Sequence, residues 1–566
     1  MTQLLQLLRI ALAAALLLLL FAGRSLAQSR PHADADAGAG VGAPAGDDDP
    51  DGGDQVVDLS NEGDLVGSLE RGPNAPGTAP KSPAVPSKPD KFEFRGFTRL
   101  TAGVGVAPVP SAAESGVPQE RVPYDRAFIE QHLYLDLRFA RGSWFQAVAS
   151  GSLSIAAVDQ VNRPSSGPPT SAFDPQKLDA VLREAYVAFS LGRLDLRIGQ
   201  QRIAWGSSDA YAPNDVLNGR DVRNPFLFDS EMLILPTPAV RADVDLQVAI
   251  LSLVVEPFVP SDRFDLYGTN WAIVQPDAPR AYRRLFGTLA QGLDRTEVAS
   301  LQDTLTGGQL SGSNPANASF GGSLKMHLGS VDLSYYFLSG FDRQPAVYVD
   351  PAFQKQIESL DATQLNGGVF EALLNQGRAS TKALGGPILI SYRRRNHVGM
   401  DAQTTAGPFV IRADLAYDSS KTFFATDTLN SVLRPAVQEV LGLEYQTGSL
   451  NKLIGVEAWA MQVLDPQTRY VPALDQGPAS SLLWYKDQNF GAGGLVRWSF
   501  FENGIVEMRS NLNVEPFWYS IRPEIGYQSS TFTIRGGFFA IGGDDATFGG
   551  YYRRNNTAYI TSRFSF

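Results

Sequence analysis

Apolar and polar residues alternate along most of the chain after residue 92. In each run, every second residue is mainly apolar and the residues between are polar or small, which is the period of a β-strand with two unlike faces. The alternation recurs about eighteen times, and most runs are near the roughly 9–11 residues that a tilted strand needs to cross a membrane. The chain is therefore predicted to be all-β and to form a transmembrane antiparallel β-barrel of about 18 strands, within a range of about 16–18. The predicted strands cover residues 93–107, 127–140, 144–158, 180–190, 193–204, 238–248, 249–259, 318–328, 331–341, 386–402, 409–419, 436–447, 452–464, 485–500, 504–514, 516–527, 531–542 and 556–566.

The connections between these strands alternate between short and long. Tight turns are predicted at 141–143, 191–192, 329–330, 448–449 and 502–503. Long connections are predicted at 108–126, 159–179, 205–236, 260–316, 342–385, 420–435, 465–484 and 543–555. Outer-membrane barrels place short turns on the periplasmic side and long loops outside, so an even strand number puts both ends of the barrel in the periplasm.

Two of the long connections, 260–316 and 342–385, contain apolar residues at helical spacing, around 280–289 and 351–374. These helical stretches are expected either to cap the outer mouth or to fold inward as plugs, and the pattern leaves both alternatives open.

Charged residues fall on one face of the predicted strands. In the run 193–204, Arg193, Asp195 and Arg197 alternate with Leu194 and Leu196. A basic side chain facing the bilayer midplane costs about 2–4 kcal/mol, so the charged face is expected to line the lumen. A soluble β-sandwich also alternates, but its dry core would not accept so many inward charges. The other charges expected inside are Glu130, His132, Asp136, Arg138, Arg241, Asp243, Asp245, Arg412, Asp414, Arg522 and Glu524.

Three consecutive arginines, Arg393, Arg394 and Arg395, cannot all face one side of a strand. If Val398 and Met400 face lipid, Arg394 does so too. It would then lie near the outer rim, where it could meet lipopolysaccharide phosphates; a simple bulge or loop is the alternative.

The N-terminus carries an export signal. Arg9 precedes a continuous apolar run that reaches Ala22, and Ser25-Leu26-Ala27 is a small-x-small cleavage site, so residues 1–27 are predicted to be a signal peptide. A membrane anchor is the alternative, but the run is shorter than the roughly 20 residues of a spanning helix. The chain has no cysteine, which excludes a lipoprotein anchor, disulfides and thiolate metal sites.

Residues 28–91 differ in composition from the rest and are rich in Ala, Gly, Pro and Asp. They carry 12 acidic and 5 basic residues, a net charge of −7 out of −11 for the whole chain. Such a segment buries too little apolar surface to fold, so it is predicted to be a disordered periplasmic linker before a barrel at 92–566. A short apolar patch at 56–69 is either a brief helix or docking segment, or an apolar stretch of the linker without a structural role.

The most specific pattern is Arg197-Ile-Gly-Gln-Gln-Arg-Ile-Ala-Trp-Gly206 with Pro213-Asn-Asp-Val-Leu-Asn-Gly-Arg-Asp221 downstream. It resembles the signature of a group of large, mostly uncharacterised porin-like outer-membrane barrels, related in style to alginate-export and other eighteen-stranded channels. The close match covers about thirty residues, and the likeness in architecture runs from about residue 92 to the end. The resemblance implies a channel or a transport-linked barrel, names no substrate and does not include the acidic tail.

Two further expectations concern this resemblance. In the barrels that the chain resembles, the barrel-assembly machinery reads a terminal aromatic residue, so Phe566 is expected to be an assembly signal. The third external connection, 205–236, corresponds to the loop that narrows the lumen of general porins, although a rigid turn at the barrel rim is the alternative. The charges expected at the constriction are Asp195, Arg197, Asp209, Asp215, Arg220, Asp221, Arg223, Asp229 and Glu231, a mixed-sign set suited to a transverse field.

Enzymatic chemistry is not indicated. The four histidines are scattered, and Gly-x-Ser-x-Gly, P-loop and His-Glu-x-x-His motifs are missing from the sequence. The chain is therefore predicted to be a non-enzymatic porin without cofactor or metal that passes small polar or anionic solutes. The alternative is a non-conducting scaffold. The expected partners are outer-membrane lipid and lipopolysaccharide, the assembly machinery and small solutes, with a homo-oligomer or a periplasmic transport partner left open and nucleic acid excluded.

Overall fold

A computed structural model describes most of the predicted barrel. It describes residues 90–106, 124–161, 174–223, 230–264, 271, 318–359, 372, 388–425, 430–446, 452–464, 482–501, 503–545 and 547–566. The predicted signal peptide, the linker up to residue 89 and the helical stretch 280–289 lie outside these residues, so the domain boundaries stay predictions.

Eighteen strands form one closed antiparallel sheet in which neighbours in sequence are neighbours in space. Two short strand pairs lie outside this sheet: Gly219–Arg220 with Ile234–Leu235, and Ala346–Val349 with Ile388–Ser391. The strands are β1 (Lys91–Gly105), β2 (Tyr124–Arg141), β3 (Phe145–Val161), β4 (Asp174–Leu191), β5 (Leu194–Gln201), β6 (Gly219–Arg220), β7 (Ile234–Leu235), β8 (Thr237–Asp245), β9 (Ala249–Glu256), β10 (Ser319–Leu328), β11 (Val331–Phe341), β12 (Ala346–Val349), β13 (Ile388–Ser391), β14 (Arg394–Ala406), β15 (Phe409–Phe424), β16 (Ser431–Gln446), β17 (Lys452–Val463), β18 (Gln488–Phe500), β19 (Gly504–Glu515), β20 (Trp518–Gln528), β21 (Phe532–Gly543) and β22 (Thr557–Ser565). The described helices are α1 (Ser230–Leu233), α2 (Pro351–Ser359) and α3 (Phe548–Tyr551), and none of them is long and apolar enough to cross a membrane.

The barrel closes where β1 pairs with β22. Thr101 lies opposite Thr561, and Gly96 and Phe566 exchange two backbone hydrogen bonds of 2.9 Å. A side chain at position 96 would meet the Phe566 ring, since a Cβ there would lie 2.9 Å from it. The predicted all-β barrel of about 18 strands is therefore confirmed, and the last residue takes part in its closure.

The two faces of the wall differ as predicted. On β16, Leu441 and Leu443 are half exposed on the outside, whereas Glu444 is fully buried on the inside, where it bonds Arg412 at 2.7 Å. Glu439 shares the parity of the outward leucines and lies opposite Leu415 and Ala460. This alternation makes the outer surface mainly apolar and keeps most strand charges inside, as a membrane barrel requires, with Glu439 as an exception.

Several predicted boundaries were wrong. The run 180–190 is longer than predicted, because β4 begins at Asp174. The run 193–204 ends as a barrel strand at Gln201, because Ile203 and Trp205 turn into the interior and are buried there. The run 386–402 is divided: β13 pairs with β12 outside the barrel, and the barrel strand β14 begins at Arg394. The connection 420–435 is much shorter than predicted, because β15 and β16 continue their pairing to Phe424 and Ser431.

Arg394 is exposed on the outward face of β14, on the parity of Val398, as the alternation predicted. Its guanidinium lies 4.7 Å from the centre of the Phe341 ring. Its contact with lipopolysaccharide stays a prediction. Helix α2 confirms the start of the helical stretch predicted at 351–374, most of whose remainder lies outside the described residues.

Phe566→Ala is expected to lower the amount of barrel in the outer membrane while leaving refolding in detergent largely intact. The ring lies against Phe94, with centroids 5.8 Å apart, at an exposed rim where its loss removes little packing. Heat-modifiable mobility of outer-membrane fractions measures assembled barrel. Phe564→Ala, in the same strand, is the matched control, and equal levels of all three proteins would count against a terminal signal.

Candidate functional site in the barrel lumen

The described parts of the connection after β5, residues 202–223 and 230–236, lie inside the barrel. Trp205 is buried and stacks on Tyr336 of β11, with ring centroids 5.2 Å apart. Both residues belong to an apolar cluster that includes Leu217 and Leu338. Because a lumen wall is polar at most positions, an apolar cluster here anchors the connection to the inside of the barrel.

Asp414 of β15 holds the first part of this connection. Its carboxylate accepts hydrogen bonds from the backbone N–H of Ser207 at 3.3 Å, from the Asn214 amide at 2.8 Å, and from the hydroxyls of Ser207 and Ser208. Gly206 precedes these donors with a φ of +89°, and a Cβ there would lie 2.8 Å from the carboxylate. Glycine therefore permits both the turn and the close approach.

Glu457 of β17 holds the next three residues. Its carboxylate accepts backbone N–H bonds from Asp209 at 2.7 Å, Ala210 at 2.6 Å and Tyr211 at 3.4 Å. Consecutive N–H groups that converge in this way form a concave site for an anion. Tyr211 also donates to Gln438 of β16 at 2.6 Å.

These contacts carry the connection across the barrel. Counted around the closed sheet, β5 is the fifth strand and β17 the thirteenth of eighteen, so they lie nearly opposite one another. Ala210 also approaches β18, where a Cβ added at Gly493 would lie 2.8 Å from it. Residues 202–211 therefore lead across the interior from β5, past the contact of Trp205 with β11, to β17.

The second half of the connection returns along the wall from which it started. Arg223 pairs with Asp179 of β4 at 2.6 Å and also with Asp221. Arg183 of β4 donates to the carbonyl oxygen of Met232 at 3.1 Å. The pKa of Arg223 is raised, because the two adjacent carboxylates outweigh the effect of its burial.

Asp209 is a buried carboxyl group with several other carboxyl groups near it. Its Oδ2 lies 3.3 Å from Arg412, and its electrostatic neighbours also include Glu457, Glu444 and Asp414. Burial and these carboxylates outweigh Arg412 and raise the pKa of Asp209 from 3.8 to about 8. Asp209 is therefore protonated at neutral pH when the connection is bound to the lumen wall.

Asp209→Asn is expected to flatten the pH dependence of barrel stability. Because folding raises the pKa of Asp209, its stabilisation is complete below the ordinary pKa of 3.8 and is lost as pH rises to about 8. The asparagine variant mimics the protonated form, so its urea midpoint in detergent should fall less between pH 5 and pH 9. Asp215→Asn, in the same connection, is the matched control, and equal slopes for wild type and the Asp209 variant would contradict the assignment.

The other residues predicted at the constriction are distributed over both walls. Asp195 and Arg197 face the lumen on β5, with Arg197 5.8 Å from the centre of the Tyr186 ring. Arg220 lies 3.5 Å from Asp215 in the connection itself. Asp229 lies outside the described residues, and the structure does not describe the side chain of Glu231. Their role at a constriction stays a prediction.

A group of arginines that the sequence did not single out covers the lumen face of the last strands and β1. We call it the arginine wall. Glu507 receives Arg497 at 2.7 Å and Arg509, and Glu524 lies 3.5 Å from Arg535. Two glutamates among six arginines leave a net charge of +4. The wall consists of Arg497, Arg509, Arg522, Arg535, Arg563 and Arg99, together with Glu507 and Glu524.

The pairing of the strands places like charges opposite one another in this wall. Arg509 of β19 lies opposite Arg522 of β20, and Arg99 of β1 lies opposite Arg563 of β22. Like charges directly across two strands are destabilising. Glu507 beside Arg509 and Glu524 beside Arg522, at 3.7 Å, offset part of this repulsion.

Histidine and metal chemistry are not prominent in the described part of the chain. His397 bonds Asp418 at 3.0 Å and lies 3.3 Å from the Asn214 side-chain oxygen, which fixes the connection to β14. Within the described ranges, no group of three or more His, Cys, Asp or Glu residues is placed to hold a metal ion.

Similar solved structures share the barrel fold at low identity. OccK5 (OpdH) of Pseudomonas aeruginosa is 9% identical, with 84% of this chain and 97% of that chain covered and a TM-score of 0.42. OpdK of Pseudomonas aeruginosa, solved with vanillate, is 9% identical, with 84% and 98% covered and a TM-score of 0.42. OccAB3 of Acinetobacter baumannii is 8% identical, with 84% and 99% covered and a TM-score of 0.41.

No match is found among curated proteins. One protein-family profile matches, over residues 138–448, which include strands β3 to β16 and the connection that crosses the lumen. This range is more than half of the chain, and the chain therefore belongs to the family described as proteins of unknown function, DUF1302.

Proposed function

We propose that the chain is an outer-membrane channel through which small polar solutes diffuse, with a preference for anions. The observation that carries the preference is the arginine wall, which places a net charge of +4 on one side of the lumen. Rings of Arg and Lys select anions in pores, and a charged cleft raises the local concentration of its counter-ion. The porin-like barrel fold and the resemblance of the 197–221 segment to outer-membrane channels support the same class.

The connection 202–236 forms the constriction in this proposal. Its first part contacts Asp414 of β15 and Glu457 of β17. The arginine wall, which begins on the neighbouring strand β18, then lines the path of the solute. Asp195, Arg197, Asp215 and Arg220 contribute charges of both signs near that path. A solute would then pass through a transverse field, with its anionic group toward the arginines.

The alternative function is a non-conducting barrel that acts as a scaffold for an envelope transport partner. The many contacts of the connection with the lumen wall favour it, because they fill part of the interior. A homo-oligomer and a periplasmic partner are compatible with either function.

Planar bilayers separate the two functions. The mature protein, reconstituted without detergent carry-over, should give discrete current steps, and in a tenfold KCl gradient its reversal potential should have the sign set by chloride. A barrel that is heat-modifiable but gives no steps would support the scaffold. Current steps with a potassium-directed reversal potential would keep the channel and reject the anion preference.

A further inference from the structure

Residues 207–211 of the connection are held against the barrel wall around one buried carboxyl group, that of Asp209. Its side chain is fully buried, and its Oδ2 lies 3.3 Å from a guanidinium nitrogen of Arg412. Arg412 lies closer to Glu444, at 2.7 Å. Four carboxyl groups therefore share one arginine. The charged groups that face Asp209 are Arg412 and Asp414 of β15, Glu444 of β16 and Glu457 of β17, and β18 approaches the same segment at the uncharged Gly493.

Three of these carboxylates have hydrogen-bond donors of their own. Asp414 and Glu457 accept hydrogen bonds from the connection itself, and Glu444 accepts one from Arg412. Asp209 differs, because no described residue donates a hydrogen bond to its Oδ1. A buried charge without sufficient partners is costly. Asp209 is therefore the member of this group that must be neutral while the segment lies against the wall.

We propose that residues 207–211 form a pH-sensitive gate. The segment lies against the wall while Asp209 carries a proton, and it moves into the open lumen when that proton is lost to solvent. Ionisation in place would add a fourth negative charge beside a single guanidinium, whereas in an aqueous lumen the new carboxylate regains its hydration. The channel therefore opens as pH rises. Release of the segment stands without the proposed function, and only the change in conductance rests on it.

The pKa of Asp209 gives the direction and the steepness of this gate. It is about 8 when the segment is bound to the wall, against an ordinary pKa of 3.8, so binding of the segment takes up a proton. The resulting stabilisation is complete below pH 3.8 and is lost as pH rises to about 8. Between these values the ratio of bound to released segment should fall about tenfold for each pH unit, as expected for one proton.

The electrical test compares the mature protein with Asp209→Asn and Asp215→Asn in planar bilayers at pH 5 and pH 9. The wild type should conduct several-fold more at pH 9, because the released segment no longer narrows the lumen. Asp209→Asn cannot ionise and should keep its conductance of pH 5. Asp215→Asn, in the same connection, is the matched control and should retain the rise. A rise of wild-type size in Asp209→Asn, or a constant conductance in the wild type, would overturn the gate.

Hydrogen–deuterium exchange in detergent tests release of the segment without any current. The backbone N–H groups of Asp209, Ala210 and Tyr211 donate to Glu457, so at pH 5 they should be protected in the wild type and in Asp209→Asn. At pH 9 they should exchange at least about tenfold faster in the wild type than in the variant. Comparison at equal pH removes the pH dependence of the exchange reaction itself. Equal protection in both proteins at pH 9 would contradict release.

The two measurements separate the gate from the proposed channel. A barrel that gives no current but releases the segment at pH 9 would reject the channel and keep the pH-dependent contact. A barrel that conducts equally at both pH values and keeps the segment protected at pH 9 would reject this inference and keep the channel.

Discussion

Replacing Asp414 and Glu457 together by Ala is expected to raise single-channel conductance several-fold. These two carboxylates accept the backbone and side-chain hydrogen bonds that hold residues 207–214 against the far wall. Hydrogen bonds to charged groups contribute about 1.5–3 kcal/mol each, so the loss of both acceptors should release the segment from the wall. Conductance in planar bilayers is the measurement, with heat-modifiable mobility to verify that the barrel still folds.

The matched control is Glu439→Gln, which changes a carboxylate on the outer face of β16, where the connection makes no described contact. It should leave conductance at the wild-type level. Single substitutions should give intermediate values, because each carboxylate holds a different part of the segment. If the double variant folds and conducts like the wild type, the segment does not limit flow, and the constriction lies elsewhere in the lumen.

The barrel could be predicted from the sequence because exposure to lipid restricts the type of every second residue within each strand. On β16, Leu441 and Leu443 face out and Glu444 faces in, and such alternation is visible in any window of a few residues. The boundary errors came from the same rule. Ile203 and Trp205 lie on the inward parity of Asp195 and Arg197, so the apolar residues change faces beyond Gln201. They are apolar because they pack inside the lumen, not because they face lipid.

The contacts of the candidate site could not be predicted in the same way. Ser207 and Asp414 are 207 positions apart in the chain, and Asp209 and Glu457 are 248 apart. Hydrogen-bond donors and acceptors that are this far apart in the sequence produce no pattern within a short stretch of residues. The sequence did suggest that the connection after the fifth strand enters the lumen, through its place in the order of strands, but the carboxylates that receive it were indistinguishable from other inward charges.

The arginine wall was not predicted from the sequence for a related reason. Each member occupies an ordinary inward position in its own strand, as predicted for Arg522, and one inward charge per strand is unremarkable in a barrel. The pairing register places Arg509 opposite Arg522 and Arg99 opposite Arg563, and the register was not predicted. Arginine on the inward parity of four successive strands, β18 to β21, is the signal that could have indicated the wall.

Replacing Arg509 and Arg522 together by Gln is expected to shift the reversal potential toward potassium in a salt gradient. The two guanidinium groups face each other across β19 and β20, and their removal lowers the charge of the wall from +4 to +2. Because the potential in a low-dielectric lumen scales with the fixed charge, the logarithm of the anion-to-cation permeability ratio should fall by about half. Glutamine retains much of the side-chain length and polarity, so the shape of the lumen should change little.

Two comparisons make this result specific. Arg394→Gln removes one positive charge from the outer face, and Arg220→Ala with Arg223→Ala removes two from the connection. The first should leave the reversal potential unchanged. The second should shift it in the same direction. If the connection variant shifts the potential and the Arg509–Arg522 variant does not, anions are selected at the constriction, and the arginine wall contributes only to the folding of the barrel.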